Sequence, residues 1–207
     1  IEEMFYPFGD SLEVAGDLYP EILLLTALPE YKEPVYSLLA ALKDSNEIKS
    51  RDYKKHLKKM AWEANNEVKR QKGAESDQTK DFYKEESRQT LYSYDDLLKY
   101  YASLLHPFHS KAKAKKFFER ADQLNSPGFK IDLAIIRLKG GEELPTEYWE
   151  QLASNKNDRI VLYQRLKGID RLDVFPSQYG YDELVKGLFA QKTRINQYKD
   201  SLVFVTK

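Results

Sequence analysis

The turn KGGEE, at residues 139–143, is the stretch of the chain that most resembles a binding site. It lies within LKGGEELPTEYWEQL, which runs from Leu138 to Leu152. Consecutive backbone N–H groups near glycines can hold a phosphate. The stretch lacks the GxxxxGK[ST] spacing of a phosphate-binding loop and the strand that should precede one. Its two glutamates would also repel phosphate, so we interpret it as a helix end followed by a turn.

The three histidines of the chain, His56, His106 and His109, are candidates for metal binding. The absence of cysteine excludes disulfides, thiolate catalysis and cysteine-ligated metals. HPFH places two imidazoles three residues apart, but Pro107 indicates a turn, and the motif contains neither HExxH nor an acid. We predict that His106 and His109 lie near a helix boundary and His56 on a solvated helix face. The sequence predicts neither a metal nor another cofactor.

Paired carboxylates occur at Glu2–Glu3, Asp95–Asp96 and Glu142–Glu143. Acid–base catalysis needs such groups in a pocket that shifts their pKa values. These pairs lie in polar turns or at helix starts, where acids favour the helix dipole. No GxSxG elbow, kinase loop or dinucleotide-binding fingerprint occurs. The sequence therefore predicts no catalytic residues, while an enzyme built from scattered residues would leave no motif.

Charge is unevenly distributed along the chain, although it sums to zero. Residues 1–33 hold eight acids and one lysine. Residues 49–72 hold nine Lys or Arg residues and three acids, and residues 106–120 hold five Lys or Arg residues and one acid. A basic helix with nearby tyrosines could bind nucleic acid through phosphates and base stacking. Alternatively, the basic and acidic blocks complement each other, within the fold or between copies of the chain. The candidate phosphate contacts are Lys54, Lys55, Lys58, Lys59, Lys69 and Arg70.

Apolar residues recur with the helical period along most of the chain. One such stripe consists of Val35, Leu38, Leu39 and Leu42. The densest apolar stretch is LYPEILLLTALPEY, from Leu18 to Tyr31. We expect it to fill a layer of the core; the alternative is that part of it forms an exposed groove for a partner. Further helical stripes lie at about residues 50–72, 97–105, 117–124, 131–138 and 181–188. The one strand-like run is Leu202 to Val205, so the sequence predicts an all-α chain with a short C-terminal strand.

Two helices and the turns that follow them match at a shift of 96 residues. LKDSNEIKSRDY begins at Leu42 and LKGGEELPTEYW at Leu138, and a looser copy begins at Leu166. Each contains a helix end, an aliphatic residue, a cap supplied by Ser50 or Thr146, and an early aromatic residue. Asp44 and Ser45 align with the two glycines, so we infer that the motif does not require glycine. The repeated unit is predicted to be a helix–turn–helix hairpin.

An irregular array of such hairpins resembles the α-solenoid class, which includes HEAT-type and tetratricopeptide-type repeats, over roughly two thirds of the chain. The resemblance is to an architecture, because the tetratricopeptide spacing of Trp, Leu-Gly, Tyr and Pro is not met. We predict N-terminal hairpins at 1–72, a polar loop or linker at 73–92, C-terminal hairpins at 93–200 and a strand at 201–207. That strand and the initial Ile1 favour a fragment of a larger protein.

Stacked hairpins form extended surfaces that bind partners, so we expect a scaffold or protein-interaction module. The alternatives are a nucleic-acid-binding domain that uses the basic helix at 49–72, and a ligand-binding or enzymatic domain with a site between hairpins. The sequence contains no stretch of 18 consecutive apolar residues, so it predicts no membrane span. The absence of cysteine and the Lys/Tyr content favour a bacterial envelope or secreted compartment. The candidate partner-binding aromatic residues are Tyr148, Trp149, Tyr179 and Tyr181.

Overall fold

A computed structural model describes residues 12–78, residues 96–180 and residue 184 of the chain. Every regular element in those residues is helical, which confirms the all-α prediction. The predicted strand at 201–207 lies outside the described residues. Among the described helices, none is both long enough and apolar enough to cross a membrane.

The chain divides into two compact units, Ile1–Glu142 and Glu143–Lys207. Short 3-10 turns lie at Leu25–Ala27, Pro29–Tyr31, Lys54–His56, His106–Phe108 and Leu172–Val174. The described helices of the first unit are α1 (Leu12–Asp17), α2 (Tyr19–Leu24), α3 (Lys32–Asp44), α4 (Ser50–Tyr53), α5 (Leu57–Gln78), α6 (96–105), α7 (Ala112–Ala121) and α8 (Pro127–Lys139). Those of the second unit are α9 (Thr146–Ala153) and α10 (Lys156–Gly168).

The predicted linker at 73–92 begins inside α5, which continues through Gln78. The helix extends because residues 72–78 contain no proline and only one glycine, so nothing in them stops a helix. Residues 79–92 lie outside the described residues, and their assignment as a loop stays a prediction. Helices from both sides of this segment belong to the first unit, and the division between units lies at Glu142 and Glu143.

Three helix ends share one backbone geometry, at the turns where the sequence suggests repeats. Asn46, Gly141 and Asp170 have positive φ angles of 66°, 83° and 55°. In each turn the next residue's N–H donates to a carbonyl five residues back, as from Glu47 to Leu42 at 2.9 Å. This is the bond that closes a helix followed by a left-handed residue. The recurrence fits the predicted hairpin joints, while the solenoid array stays a prediction.

The predicted hydroxyl caps at Ser50 and Thr146 are wrong by one residue. Both residues are the first of their helices, and the capping positions belong to Lys49 and Pro145. The N–H of Lys49 donates to the Asp52 carboxylate at 2.7 Å. An acid three residues into the helix thus satisfies this terminus, and a hydroxyl cap is not needed.

The core of the first unit contains buried tyrosines whose hydroxyls are hydrogen-bonded. Tyr36 and Tyr101 both donate to one carboxylate oxygen of Glu63, at 2.6 and 3.2 Å. Tyr53 donates to the Leu104 carbonyl at 3.2 Å. Burial raises the pKa of all three phenols well above the usual value of 10.0, and Glu63 adds to this rise at the first two. These hydroxyls therefore act as neutral donors that join α3, α4, α5 and α6.

The stretch from Leu18 to Tyr31 contributes to the core through only part of its length. Ile22 and Leu23 are 6% and 4% exposed. Leu24 and Leu28, in contrast, are 71% and 47% exposed. Pro20 lies in the first turn of α2, as expected from its fixed φ angle.

Candidate polyanion-binding face

The basic segment at 49–72 directs its acids inward or pairs them, and leaves most of its lysines exposed. Asp52 accepts the Lys49 N–H at the start of α4. Glu63 is buried beneath Tyr36 and Tyr101. Glu67, whose side chain is 13% exposed, pairs with Arg70 at 2.7 Å. The surface of this segment is therefore more cationic than its sequence count of nine basic and three acidic residues suggests.

Trp62 lies in the middle of this basic surface with 63% of its area exposed. In the described part of the chain it is the only aromatic residue among the large apolar residues that are exposed. With 3.6 residues per turn, Lys58 lies about one turn before it and Lys69 about two turns after it, on the same side of α5. An indole ring is thus presented between lysines.

The helix α7 adds cations beside α5. Asn65 of α5 donates to the Lys113 carbonyl at 3.2 Å and accepts from the Arg120 guanidinium at 3.1 Å. Near the other end, Lys72 donates to Gln123 at 2.8 Å. Helical spacing places Lys113 and Lys116 on the Arg120 side of α7, which borders α5. Lys113 and Lys116 are exposed.

We call this surface the cationic face. It consists of Trp62 and of exposed lysines that form no ion pair within the described residues. The one acid of α7, Glu119, pairs with Lys115 at 3.9 Å. The chemistry offered is a set of charge-assisted donors around one aromatic ring. The lysines of the cationic face are Lys55, Lys58, Lys69, Lys113 and Lys116.

The electrostatic effect of these lysines is visible at His56. Burial lowers the pKa of His56 below the usual value of 6.5, and the positive charges of Lys55 and Lys59 lower it further. His56 is therefore neutral near pH 7 and adds no charge to the face. Its side chain is half-buried among these lysines.

Four of the lysines named from the sequence, Lys54, Lys55, Lys58 and Lys59, differ in their surroundings. Lys54, Lys55 and Lys58 are exposed. Lys59, although exposed, donates to Thr26 at 2.9 Å and so holds α5 against the turn after α2. Their role in partner binding stays a prediction.

The four aromatic residues proposed for partner binding belong to the second unit. Trp149 is 2% exposed, so it is a core residue of that unit. Tyr148 is half-buried and meets Trp149 edge to face at 6.3 Å. The ring of Tyr179, also half-buried, lies under the Arg159 guanidinium at 3.7 Å. Tyr181 lies outside the described residues.

Sequence reasoning missed Trp62, although the sequence contains a signal for it. The apolar stripe of this helix, which includes Met60, Ala61, Ala64 and Val68, is buried as predicted. Position 62 falls outside that stripe, on the side of the lysines. A large aromatic residue on the polar side of an amphipathic helix is therefore expected to be exposed.

A second cluster of polar groups surrounds a cavity of about 460 Å³ in the first unit. His106 is 6% exposed, and its Nε2 lies 3.6 Å from a Glu142 oxygen. Arg137 pairs with Asp122 at 2.7 Å. His106 Nε2 and Asp122 Oδ1 are buried without a hydrogen-bond partner. The cavity is lined by His106, His109, Ser110, Lys115, Phe118, Glu119, Asp122, Arg137 and Glu142.

Each acid that lines this cavity has a cationic partner: Arg137 for Asp122 and Glu142, and Lys115 for Glu119. Burial lowers the pKa of His106, as does the neighbouring His109, while Glu142 acts in the opposite direction. In the described part of the chain, no group of three or more His, Asp or Glu residues could hold a metal ion. The cavity therefore supports a binding role less well than the cationic face. No protein-family model, curated protein or solved structure matches the chain.

Proposed function

We propose that this protein is a helical binding module that holds a polyanionic partner against the cationic face. One observation carries the proposal. The acids Glu63 and Glu67 of the basic segment are buried or paired, while Lys55, Lys58 and Lys69 remain exposed and unpaired among the described residues. This proposal keeps the role of interaction module expected from the sequence and assigns it a surface.

The physical basis is the release of counterions from the partner. A polyanion condenses cations along its length, and lysines that replace them free those ions, so affinity falls steeply with salt. Exposed lysines keep their hydration and mobility until the partner arrives, because few of their donors are used within the fold. A polyanion can contact several of them at once along α5 and α7.

The test is fluorescence anisotropy with three labelled polyanions: a heparin fragment, poly-glutamate and oligothymidylate. Titrations from about 50 mM to about 200 mM salt should show binding of at least one polyanion, with affinity falling linearly on a log–log plot. The double variant Lys58→Glu/Lys69→Glu should lose most of this binding.

The matched control carries the same charge change on α8, as Lys130→Glu/Lys139→Glu. This helix contacts the other side of α7, where Arg137 meets Asp122 and lies over Phe118. The control should bind nearly as well as the unaltered protein. Absence of binding to all three polyanions at the lowest salt, or equal losses in both double variants, would refute the proposal.

A further inference from the structure

We infer that the polyanion is a single-stranded nucleic acid, with Trp62 stacked on an unpaired base and the lysines around it on phosphates. This inference rests on the proposed binding function of the same face. It begins with the indole ring, which is 63% exposed although it lies in the middle of a well-packed helix. Met60 and Ala61, its neighbours along the chain, are buried.

The arrangement of charge around the ring fits a strand that carries a phosphate on each nucleotide. Lys58 and Lys69 lie on the same side of α5 as Trp62, about 6 Å before it and about 10 Å after it along the axis. Lys113 and Lys116 border the same side from α7, where Asn65 joins the two helices. Proteins that bind single strands combine such a basic surface with aromatic rings on which bases stack.

Among polyanions, a single strand uses this ring and a duplex does not. The bases of a duplex are already stacked and paired, so an indole on a convex helix surface cannot reach their faces. An acidic polypeptide would interact with the lysines and gain little from the ring.

A lipid surface fits the face less well for a geometric reason. A helix that lies in a membrane interface inserts a continuous apolar stripe. In the described residues from 54 to 121, Trp62 is the only large apolar residue that is exposed. A single ring among lysines and Asn66 provides little apolar area for insertion.

The test compares the binding of oligothymidylate, a DNA duplex of the same length, poly-glutamate and vesicles that contain phosphatidylserine. Trp62→Ala should weaken oligothymidylate binding by about 5-fold or more, and it should leave duplex and poly-glutamate binding nearly unchanged. Trp62→Phe should retain much of the affinity, because it keeps a ring that can stack. Leu24→Ala, which removes another exposed apolar side chain, should have no effect.

Intrinsic fluorescence supplies a second readout, because the chain has two tryptophans and Trp149 is buried. Oligothymidylate should quench the emission of the unaltered protein, and the quenching should disappear in Trp62→Phe, in which Trp149 remains as an internal reference. Equal affinity of Trp62→Ala and the unaltered protein for oligothymidylate would overturn the inference, as would tighter binding of poly-glutamate, duplex or vesicles. Those results would leave polyanion binding intact, whereas failure of every polyanion to bind would remove both proposals.

Discussion

The imidazole ring of His106 occupies the space that a Cβ atom on Gly140 would need. The ring cannot easily move away, because it stacks on His109 at 5.2 Å and meets Phe118 edge to face at 6.0 Å. Gly140 itself has an ordinary φ of −80°, so its backbone would accept any residue. The aligned turn carries Asp44 at this position, so the need for glycine at 140 comes from a neighbour 34 residues earlier in the chain and not from the turn motif.

We expect Gly140→Ala to lower the free energy of unfolding by about 1–3 kcal/mol, because the added methyl overlaps the His106 ring and forces it out of its stacked position. Urea unfolding followed by circular dichroism measures this change. When Gly140→Ala is made in the His106→Ala variant, where the imidazole ring is absent, it should lower the free energy of unfolding much less than it does in the unaltered protein.

Gly141→Ala is the matched control one residue later. Its φ of 83° strains any other residue, but no atom lies within 4 Å of the position of its Cβ. We expect a cost of about 1–2 kcal/mol from backbone strain, which His106→Ala does not relieve. Relief of both glycine variants by His106→Ala would contradict the assignment of the first cost to the imidazole ring.

The buried carboxylate of Glu63 gives a second prediction. Its side chain is 7% exposed, and it accepts hydrogen bonds from two tyrosines while Lys32 lies at 3.6 Å. Glu63→Ala should cost about 3 kcal/mol, because it leaves two buried hydroxyls without their acceptor. Glu67→Ala removes a helix-surface pair with Arg70 and should cost less than about 0.5 kcal/mol. Urea unfolding curves for the two variants provide the measurement, and similar costs would show that the network contributes little.

The pH dependence of stability gives a third prediction, centred on His106. Burial and the charges of His109 and Lys43 lower its pKa in the folded protein, against the opposing effect of Glu142. The unfolded chain, with a His pKa of about 6.5, therefore takes up the proton more readily. The stability that this pKa difference gives the folded protein is fully present above about pH 6.5, and it is lost as the pH falls towards the pKa of His106 in the folded protein.

The measurement is urea unfolding of the unaltered protein and of His106→Gln at about pH 7.5 and about pH 5.5. The variant should lose less stability between the two values, whatever its absolute stability. His56→Gln serves as a comparison with a smaller expected effect, because His56 is less buried than His106. Identical pH dependence of the unaltered protein and His106→Gln would refute the prediction.

A fourth prediction concerns Arg159 in the second unit. This residue is 4% exposed, and it donates to the carbonyls of Ala153 and Ser154 at the end of α9 while it stacks on Tyr179. A lysine ammonium is not planar, so it cannot donate to both carbonyls and stack flat on the Tyr179 ring at the same time. Arg159→Lys should destabilise the second unit by about 2 kcal/mol.

Amide hydrogen exchange of α9 and α10, followed by NMR, measures the change in this unit alone. Protection should fall in Arg159→Lys and should stay near its original level in Arg165→Lys, which alters an exposed residue of the same helix. Unchanged protection in both variants would mean that Arg159 does not hold the end of α9.

Periodicity predicted most of the fold because a helix depends mainly on residues three and four apart. The stripe from Val35 to Leu42 and the buried side of α5 agree with the structure. The caps at Ser50 and Thr146 were misplaced, because an acid or a proline can also begin a helix. The solenoid array depends on how hairpins stack, which local periodicity does not contain, and it stays a prediction.

The sequence by itself determined that the chain is helical, that it has a basic segment at 49–72 and that position 62 falls on the polar side of its helix. Only the tertiary structure decided which acids of that segment remain at the surface. Glu63 is removed from it by Tyr36 and Tyr101, from two other helices. The same holds for Gly140, whose constraint comes from His106. The physical reason is that burial and charge pairing depend on contacts between residues distant in the chain, whereas a helical pattern reports only which side of one helix is apolar.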